Sequence, residues 1–239
     1  MLVDKEELTT YYNVMRRSVC IISILIIWFL SLGIYSNTLK NGFACDDGGI
    51  IVENPFIKDI NNLSQLLGKR YFALSREDSY RPVVTFTYFA DFAVFGLKPW
   101  GYHLTNILLH SINGILLYIF IAMAVQQPLQ GNKKSLWFGN IPLIIALLFI
   151  SHPALTEAIN AISFREDLLA FLFYMGTLCI YLLLRSNTCQ YASSRFLYAL
   201  SCLLYFFALL SKEMAVTLPL IISCHEWIYG EKKNRKVLK

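Results

Sequence analysis

Long apolar runs are the feature that most constrains how this chain can fold. Residues 18–36 contain no charged side chain, and the full sequence of 239 residues is 56% hydrophobic but only 15% charged. A soluble domain rarely combines so little charge with so many aliphatic and aromatic residues. About 20 apolar residues are needed for a helix to cross the hydrocarbon core of a bilayer. The sequence therefore predicts an all-α membrane protein.

Six runs are candidate membrane spans, and they lie at 18–36, 101–125, 138–151, 168–184, 196–211 and 214–229. The first has no small-residue cleavage site and is longer than the core of a signal peptide, so we interpret it as a retained anchor. The third is short and lies between Pro142 and Pro153. We expect its helix to end at His152, because a residue before proline avoids the helical conformation.

The distribution of basic residues predicts the orientation of these spans. The four segments on the side of the N-terminus (1–17, 126–136, 185–195 and 230–239) together hold twelve lysines and arginines. The two short loops on the opposite side hold only Arg165 and Lys212. By the positive-inside rule, both termini should be cytoplasmic, in either a bacterial inner membrane or the endoplasmic reticulum. The net charge of +5 reflects this asymmetry, so we expect membrane lipid rather than nucleic acid as a partner.

The segment 37–100 is predicted to be one long extracytoplasmic loop, followed by five further spans within 101–229. Residues 60–72 have apolar side chains near helical spacing and are interpreted as an amphipathic helix in the membrane interface, with Ser64 or Asn62 as its cap. Residues 83–96 are interpreted as a second interfacial or re-entrant helix, with Asp91 facing protein or water. The alternative is that 83–96 is a true transmembrane helix, which would reverse the orientation of everything after it.

Acidic residues concentrate on the predicted outer side, and the adjacent pair Asp46 and Asp47 is the first candidate site there. The pair is flanked by glycines, which let a backbone approach a ligand closely. Two carboxylates near a membrane surface can supply a general base or oxygen ligands for a divalent cation. The alternative is an ordinary solvated turn, because Asp-Asp-Gly is common turn chemistry.

Further charged residues follow in the short outer loops. Arg165 opens the fourth span, and an arginine at this position can hold a phosphate through two hydrogen bonds. Glu166 stands beside it, and the alternative role for this carboxylate is to stabilise the N-terminus of the helix. Lys212 and Glu213 lie between the fifth and sixth spans, where they are alternatively a local salt bridge. Polar groups at a membrane interface are costly unless they are paired or used.

Five other polar residues complete the set of candidates. Arg81 is another cation of the outer side, while His152 and Glu157 lie just after the third span. His103 and His110 lie on one stripe of the second span. We interpret these histidines as hydrogen-bonded residues of a helix bundle, since a metal site would need further ligands.

Four stretches of this sequence resemble a known family. They are NGFACDDGGIIVENP, SYRPVVTFTYFADFAVFGLKPWGYHLTNILLH, SHPALTEAINAISFREDLLAFLFY and LLSKEMAVTLPLIISCHEWIYG, and they occur in this order within residues 20–230. Together they are similar to the membrane part of the transmembrane and tetratricopeptide-repeat O-mannosyltransferases and of their bacterial relatives. The PWGYHLTN and HPALTEA blocks are the specific part of the resemblance.

The resemblance implies a GT-C-like bundle that transfers a sugar, expected to be mannose, from a polyprenyl- or dolichyl-phosphate carrier to a protein hydroxyl. By the family pattern, Asp46 or Asp47 supplies the catalytic base. Arg165, then Lys212 and Arg81, would bind the carrier phosphate, and Glu157, Glu213, His152 and Glu166 would support them. The resemblance implies the lipid-linked donor but does not specify a cofactor, and a divalent cation, if used, would fall on Asp46 and Asp47.

The family pattern also continues beyond what this sequence holds. Relatives of this kind have further spans followed by tetratricopeptide repeats, and no 34-residue repeat occurs here. The alternatives are therefore a fragment, a chain that works with a partner chain, or a non-catalytic subunit. A transporter is a further alternative, but it would need polar residues at mid-membrane depth.

Overall fold

The computed structural model describes residues 5–69, 71–75, 79–126, 136–185 and 191–229, and these residues form helices joined by short segments. The α-helices are α1 (Lys5–Ile34), α2 (Tyr71–Ser75), α3 (Pro82–Phe95), α4 (Pro99–Gln126), α5 (Leu136–Ile150), α6 (Thr156–Asn160), α7 (Arg165–Arg185), α8 (Tyr191–Ser211) and α9 (Leu218–Tyr229). The described residues include no strand, so the predicted all-α class is confirmed. The predicted basic tail 230–239 lies outside the described residues.

Three described helices are long and apolar enough to cross a membrane by length and composition, namely Pro99–Val125, Ile162–Arg185 and Ser194–Ser211. Asn140–Ile150 and Pro153–Asn160 pass the same test only as a pair bent by 51°, which raises the number to four. The bend falls where it was predicted, because His152 is extended before Pro153 (ψ 125°). Six crossings of the membrane remain a prediction.

The segment predicted as the sixth span, 214–229, is not one continuous α-helix. A 3₁₀-helix covers Glu213–Thr217, and α9 then begins at Leu218 and runs for 12 residues. Pro219 lies in the first turn of α9, where its missing N–H costs nothing, and it could not stand in the middle of a longer helix. The break places Lys212 and Glu213 at a corner between α8 and α9.

The segment between α1 and α3 packs against the helices through an apolar cluster that it shares with α3, α4 and α7. Ile51, Phe56, Tyr71, Tyr88 and Phe89 are almost fully buried in one cluster. The predicted amphipathic helix at 60–72 is wrong in detail, because the structure has a 3₁₀-helix (Ile60–Gln65) followed by the separate helix α2. The cap is also different from the prediction, since the side chain of Asp59 accepts a hydrogen bond from the backbone N–H of Asn61 at 3.0 Å.

Helix α4 is the central element, and it packs against α1, α5 and α7. Gly114 is the point of closest approach, because a β-carbon there would lie 2.4 Å from Ile150 Cγ2 and 3.1 Å from Ile27 Cγ2. Helix α3, predicted at 83–96, lies at Pro82–Phe95 and ends at Gly96, whose positive φ of 60° suits glycine. Together α3, α4 and α7 bring the charged segments to one end of the bundle.

Candidate functional site

A network of ion pairs joins the beginning of α3, the beginning of α7 and the corner after α8. Arg81 Nη1 lies 2.8 Å from Glu166 Oε1, and Lys212 Nζ lies 3.6 Å from the same oxygen. Lys212 Nζ is also 2.6 Å from Asp167 Oδ1. Glu213 is largely exposed, and its carboxylate lies 3.7 Å from Arg81 Nη2. The structure therefore brings together residues that are more than 130 positions apart in the sequence.

A cavity of about 440 Å³ opens beside this network. The side chains that give it chemical character are Asp46, Arg81, Tyr88, Ser163 and Glu166. One exposed carboxylate and one half-buried guanidinium thus share a single cavity, with a second carboxylate holding the guanidinium in place. Such a cavity can bind a molecule that carries both a negative charge and an ionisable hydroxyl.

The adjacent residues Asp46 and Asp47 have different environments, which the sequence did not indicate. Asp47 is fully buried, and its carboxylate accepts hydrogen bonds from the backbone N–H groups of Ala44 (3.0 Å), Ser163 (2.7 Å) and Ile162 (3.4 Å). Asp47 thereby fixes its own loop to the turn that precedes α7. Asp46 is exposed and lines the cavity. Of the two predicted bases, the geometry therefore favours Asp46.

Arg165 is enclosed by protein and does not face the cavity. Its Nε donates to Asn106 Oδ1 (2.7 Å), Nη1 donates to Thr87 Oγ1 (3.0 Å), and Nη2 donates to the carbonyl oxygen of Tyr102 (3.1 Å). Nη1 also forms an ion pair with Asp91 Oδ2 at 2.7 Å, and the Arg165 side chain is 0% exposed.

The same guanidinium lies over the ring of Tyr88, with its carbon 4.9 Å from the ring centroid. In this conformation a phosphate could reach Arg165 only by breaking these contacts. Arg165 as the first phosphate ligand therefore stays a prediction that the geometry does not favour. The cations that do stand near the cavity are Arg81 and Lys212.

The remaining supporting residues lie around this centre. Glu157 is exposed and lines a neighbouring groove of about 740 Å³, which also includes Asn41 and Cys45. His152 is exposed, and its Nδ1 accepts a hydrogen bond from the N–H of Ala154 at 3.2 Å, so it caps the short helix that follows. Glu166 lies in the first turn of α7, where a carboxylate can stabilise the helix N-terminus, and it also forms an ion pair with Arg81.

The polar stripe of α4 connects helix to helix by hydrogen bonds. His103 Nε2 lies 3.3 Å from the carbonyl oxygen of Gly42, and His110 Nε2 lies 3.2 Å from that of Ile150. Asn113 on the same stripe donates to the carbonyl oxygen of Leu168 at 2.9 Å. Both histidines are fully buried. These contacts agree with their interpretation as hydrogen-bonded bundle residues.

Within the described ranges, no three His, Cys, Asp or Glu side chains are grouped in a way that could hold a metal ion. Asp47 directs its oxygens to backbone N–H groups, whereas Asp46 faces the cavity, so the two carboxylates are not placed as a pair of ligands. The geometry gives no support to a divalent cation on these two residues.

The sequence did not predict that Asp91 and Asn106 enclose Arg165, or that Ser163 lines the cavity. Asp91 was a detectable signal, because a carboxylate within an apolar helix needs a buried partner. Asn106 could have been found from its place on the polar stripe of α4. Ser163 had no signal, because serine is unremarkable in a segment that leads into a helix.

Fold and site together define an all-α protein with apolar helices of membrane-spanning length and a charged cavity at one end of the bundle. The chain is 29% identical to protein O-mannosyl-transferase F38B6.6 of Caenorhabditis elegans over 213 residues, which are 86% of this chain and 28% of the relative. It is 31% identical to the human protein O-mannosyl-transferase TMTC2 over 158 residues (64% of this chain, 18% of the relative). It is 30% identical to mouse protein O-mannosyl-transferase TMTC4 over 205 residues (81% and 28%).

The curated homologues are thus protein O-mannosyl-transferases of the TMTC family, and the resemblance seen in the sequence motifs is confirmed. This chain spans between about a fifth and under a third of the length of these relatives. No protein-family model and no solved structure matches the chain.

Proposed function

We propose that this chain contains the donor-binding and catalytic region of a protein O-mannosyltransferase in the membrane of the endoplasmic reticulum. The donor would be mannose on a dolichyl- or polyprenyl-phosphate carrier, and the acceptor would be a serine or threonine hydroxyl of a protein on the lumenal side. The names of the relatives support the sugar and the protein acceptor. The apolar helices support a donor that is itself embedded in lipid.

One observation carries the proposal, namely that the cavity joins the exposed carboxylate of Asp46 to the guanidinium of Arg81. A glycosyl transfer needs a base for the attacking hydroxyl and a positive charge for the departing phosphate. Asp46 has the exposure that a base requires in order to meet an incoming protein hydroxyl. Arg81 lines the same cavity, and Lys212 is joined to Arg81 through Glu166.

In the proposed reaction the Asp46 carboxylate takes the proton of the acceptor hydroxyl. The hydroxyl oxygen forms a bond to the anomeric carbon of mannose while the bond from that carbon to the phosphate oxygen breaks. The carrier phosphate leaves with the electron pair, and Arg81 and Lys212 stabilise its charge. The attack is direct, so the configuration at the anomeric carbon inverts and no covalent enzyme intermediate forms.

The ion pairs explain how two cations could be available for a phosphate. Glu166 is shared between Arg81 and Lys212, at 2.8 and 3.6 Å, and the second partner of Lys212 is the partly exposed carboxylate of Asp167 at 2.6 Å. Glu213 is 71% exposed at its side chain and only 3.7 Å from Arg81, so it can move into solvent when an anion approaches. Glu166 then serves to position the two cations instead of neutralising both.

The test is transfer of radiolabelled mannose from dolichyl phosphate mannose to a Ser/Thr-containing peptide by the chain in lipid vesicles. We expect transfer by the unchanged chain and a loss of at least about 100-fold for Arg81→Gln, since removing one stabilising donor of a developing charge costs about that much. Arg195→Gln is the matched control, because Arg195 is an exposed arginine at the start of α8, outside the site.

Undiminished transfer by Arg81→Gln would exclude this cavity as the donor site. Binding of the carrier without any transfer by the unchanged chain would instead favour a non-catalytic membrane subunit.

A further inference from the structure

Two residues that line the cavity each carry a buried polar side-chain atom that no described protein atom satisfies. Ser163 Oγ and Arg81 Nε are both buried, and neither has a hydrogen-bond partner among the described residues. Both residues line the cavity of about 440 Å³, and Ser163 is only 6% exposed. A buried polar atom without a partner costs about 1–3 kcal/mol, so each such atom calls for an explanation.

The peptide bond between Ile162 and Ser163 is fixed by hydrogen bonds at both its C=O and its N–H. Its N–H donates to Asp47 Oδ1 at 2.7 Å, and the neighbouring carbonyl oxygen of Ile162 accepts a hydrogen bond from the hydroxyl of Tyr88 at 3.0 Å. The residue therefore cannot easily turn its hydroxyl to another partner by moving the chain. The buried carboxylate of Asp47 therefore also fixes the position of Ser163 relative to the cavity.

The chemistry of the two atoms defines the ligand. An N–H of a guanidinium donates only, and a serine hydroxyl can donate as well, so each of the two atoms lacks an acceptor oxygen that a ligand could supply. The positive charge of Arg81 favours an anionic oxygen over a neutral sugar hydroxyl. Its Nη1 forms an ion pair with Glu166 and its Nη2 lies 3.7 Å from Glu213, whereas Nε has no hydrogen-bond partner among the described residues.

We propose that Ser163 is a donor-binding residue whose hydroxyl, together with Arg81 Nε, binds a non-bridging oxygen of the carrier phosphate. This inference rests on the proposed function and adds to it a contact from the α7 side of the cavity. Asp47 is then a positioning residue that acts through Ser163, whereas Asp46 and Arg81 face the substrate directly.

The substitution Ser163→Ala separates binding from folding, because the hydroxyl that it removes has no described partner to lose. We expect thermal stability to be unchanged or slightly higher, while affinity for a phosphate-bearing carrier falls by about ten- to a hundred-fold, the usual effect of losing a hydrogen bond to a charged oxygen. The matched control is Ser31→Ala, which removes another buried hydroxyl that lacks a described partner but does not line the cavity.

Affinity can be measured without activity by protection of Cys45 from a maleimide. Cys45 is exposed, lines the cavity, and is the only described residue other than glycine with a positive φ (51°). The labelled peptide is quantified by mass spectrometry, which separates Cys45 from the other cysteines. The probes are dolichyl phosphate, dolichol without phosphate, and inorganic phosphate, each with the chain in phosphatidylcholine vesicles.

We expect dolichyl phosphate to protect Cys45, dolichol to give no protection, and Ser163→Ala to raise the half-protecting concentration at least ten-fold. Protection by inorganic phosphate that also depends on Ser163 would support recognition of the phosphoryl oxygen itself. Equal protection by dolichol, or an unchanged half-protecting concentration in Ser163→Ala, would overturn the inference while mannose transfer could still proceed. If dolichyl phosphate gives no protection and the unchanged chain transfers no mannose, the proposed function fails and the inference fails with it.

Discussion

The buried ion pair between Arg165 and Asp91 permits a quantitative prediction about the substitution Asp91→Asn. The charged atoms are 2.7 Å apart, the Arg165 side chain is 0% exposed and that of Asp91 is 8% exposed. With an effective dielectric constant near 20, the attraction between two unit charges at this distance is about 6 kcal/mol. Desolvation offsets part of this attraction, but breaking a buried pair from one side typically costs about 3–5 kcal/mol, because the remaining charge stays buried.

Asp91→Asn keeps the shape of the side chain, so the cost should come from the lost charge. A loss of about 3–5 kcal/mol would lower the melting temperature by about 6–20 °C for a chain of this size. The assay is thermal unfolding of the purified protein in detergent, and unfolding is monitored as the loss of the monodisperse species. A melting temperature within about 2 °C of the unchanged protein would refute the view that this pair stabilises the bundle.

The double variant Asp91→Asn/Arg165→Met decides between a structural and a phosphate-binding Arg165. Removing both charges should recover at least half of the lost stability, since apolar replacements of buried pairs are often neutral. If Arg165 acts only within the fold, the double variant should still bind dolichyl phosphate with an affinity close to that of the unchanged chain. Loss of carrier binding by a double variant that remains folded would restore Arg165 as the phosphate anchor.

Two further predictions concern stability. Asp47→Asn should lower the free energy of unfolding by about 1.5–3 kcal/mol, because the amide cannot accept all of the backbone hydrogen bonds that the carboxylate accepts. Chemical denaturation measures this, and an unchanged value would contradict the view that Asp47 fixes its loop to the turn before α7. Gly114→Ala should cost about 1–3 kcal/mol through its clash with Ile150, whereas Gly176→Ala, where the nearest atom is 3.2 Å away, should cost less. Equal melting temperatures of the two alanine variants would contradict the close packing at Gly114.

The helices could be predicted from sequence because each leaves a local signal. The apolar run at 101–125 and the structure at Pro99–Gln126 differ by no more than two residues at either end, since no charged residue and no proline interrupts the run. The sixth span was overextended because a 3₁₀ turn and an α-helix have the same apolar composition, so only Pro219 marked the break.

The candidate site was predicted in its location but not in its pairings. Charged residues in apolar surroundings indicated which segments gather at one end of the bundle, because burial of charge is costly wherever it occurs. Which cation meets which carboxylate depends on contacts between distant elements, as for Arg165 and Asp91, which are 74 positions apart. The difference between Asp46 and Asp47 follows from which backbone N–H groups the loop approaches, and composition carries no information about that approach.

The most direct test of the proposed function is mannose transfer by Asp46→Asn. Asp46 is exposed, so the substitution should leave the melting temperature within about 2 °C of the unchanged protein. Loss of a general base should reduce the rate of transfer from dolichyl phosphate mannose to a Ser/Thr peptide by about 10²–10⁴-fold. A rate close to that of the unchanged chain, measured in the same vesicles, would contradict the assignment of Asp46 as the base and of this cavity as the place of transfer.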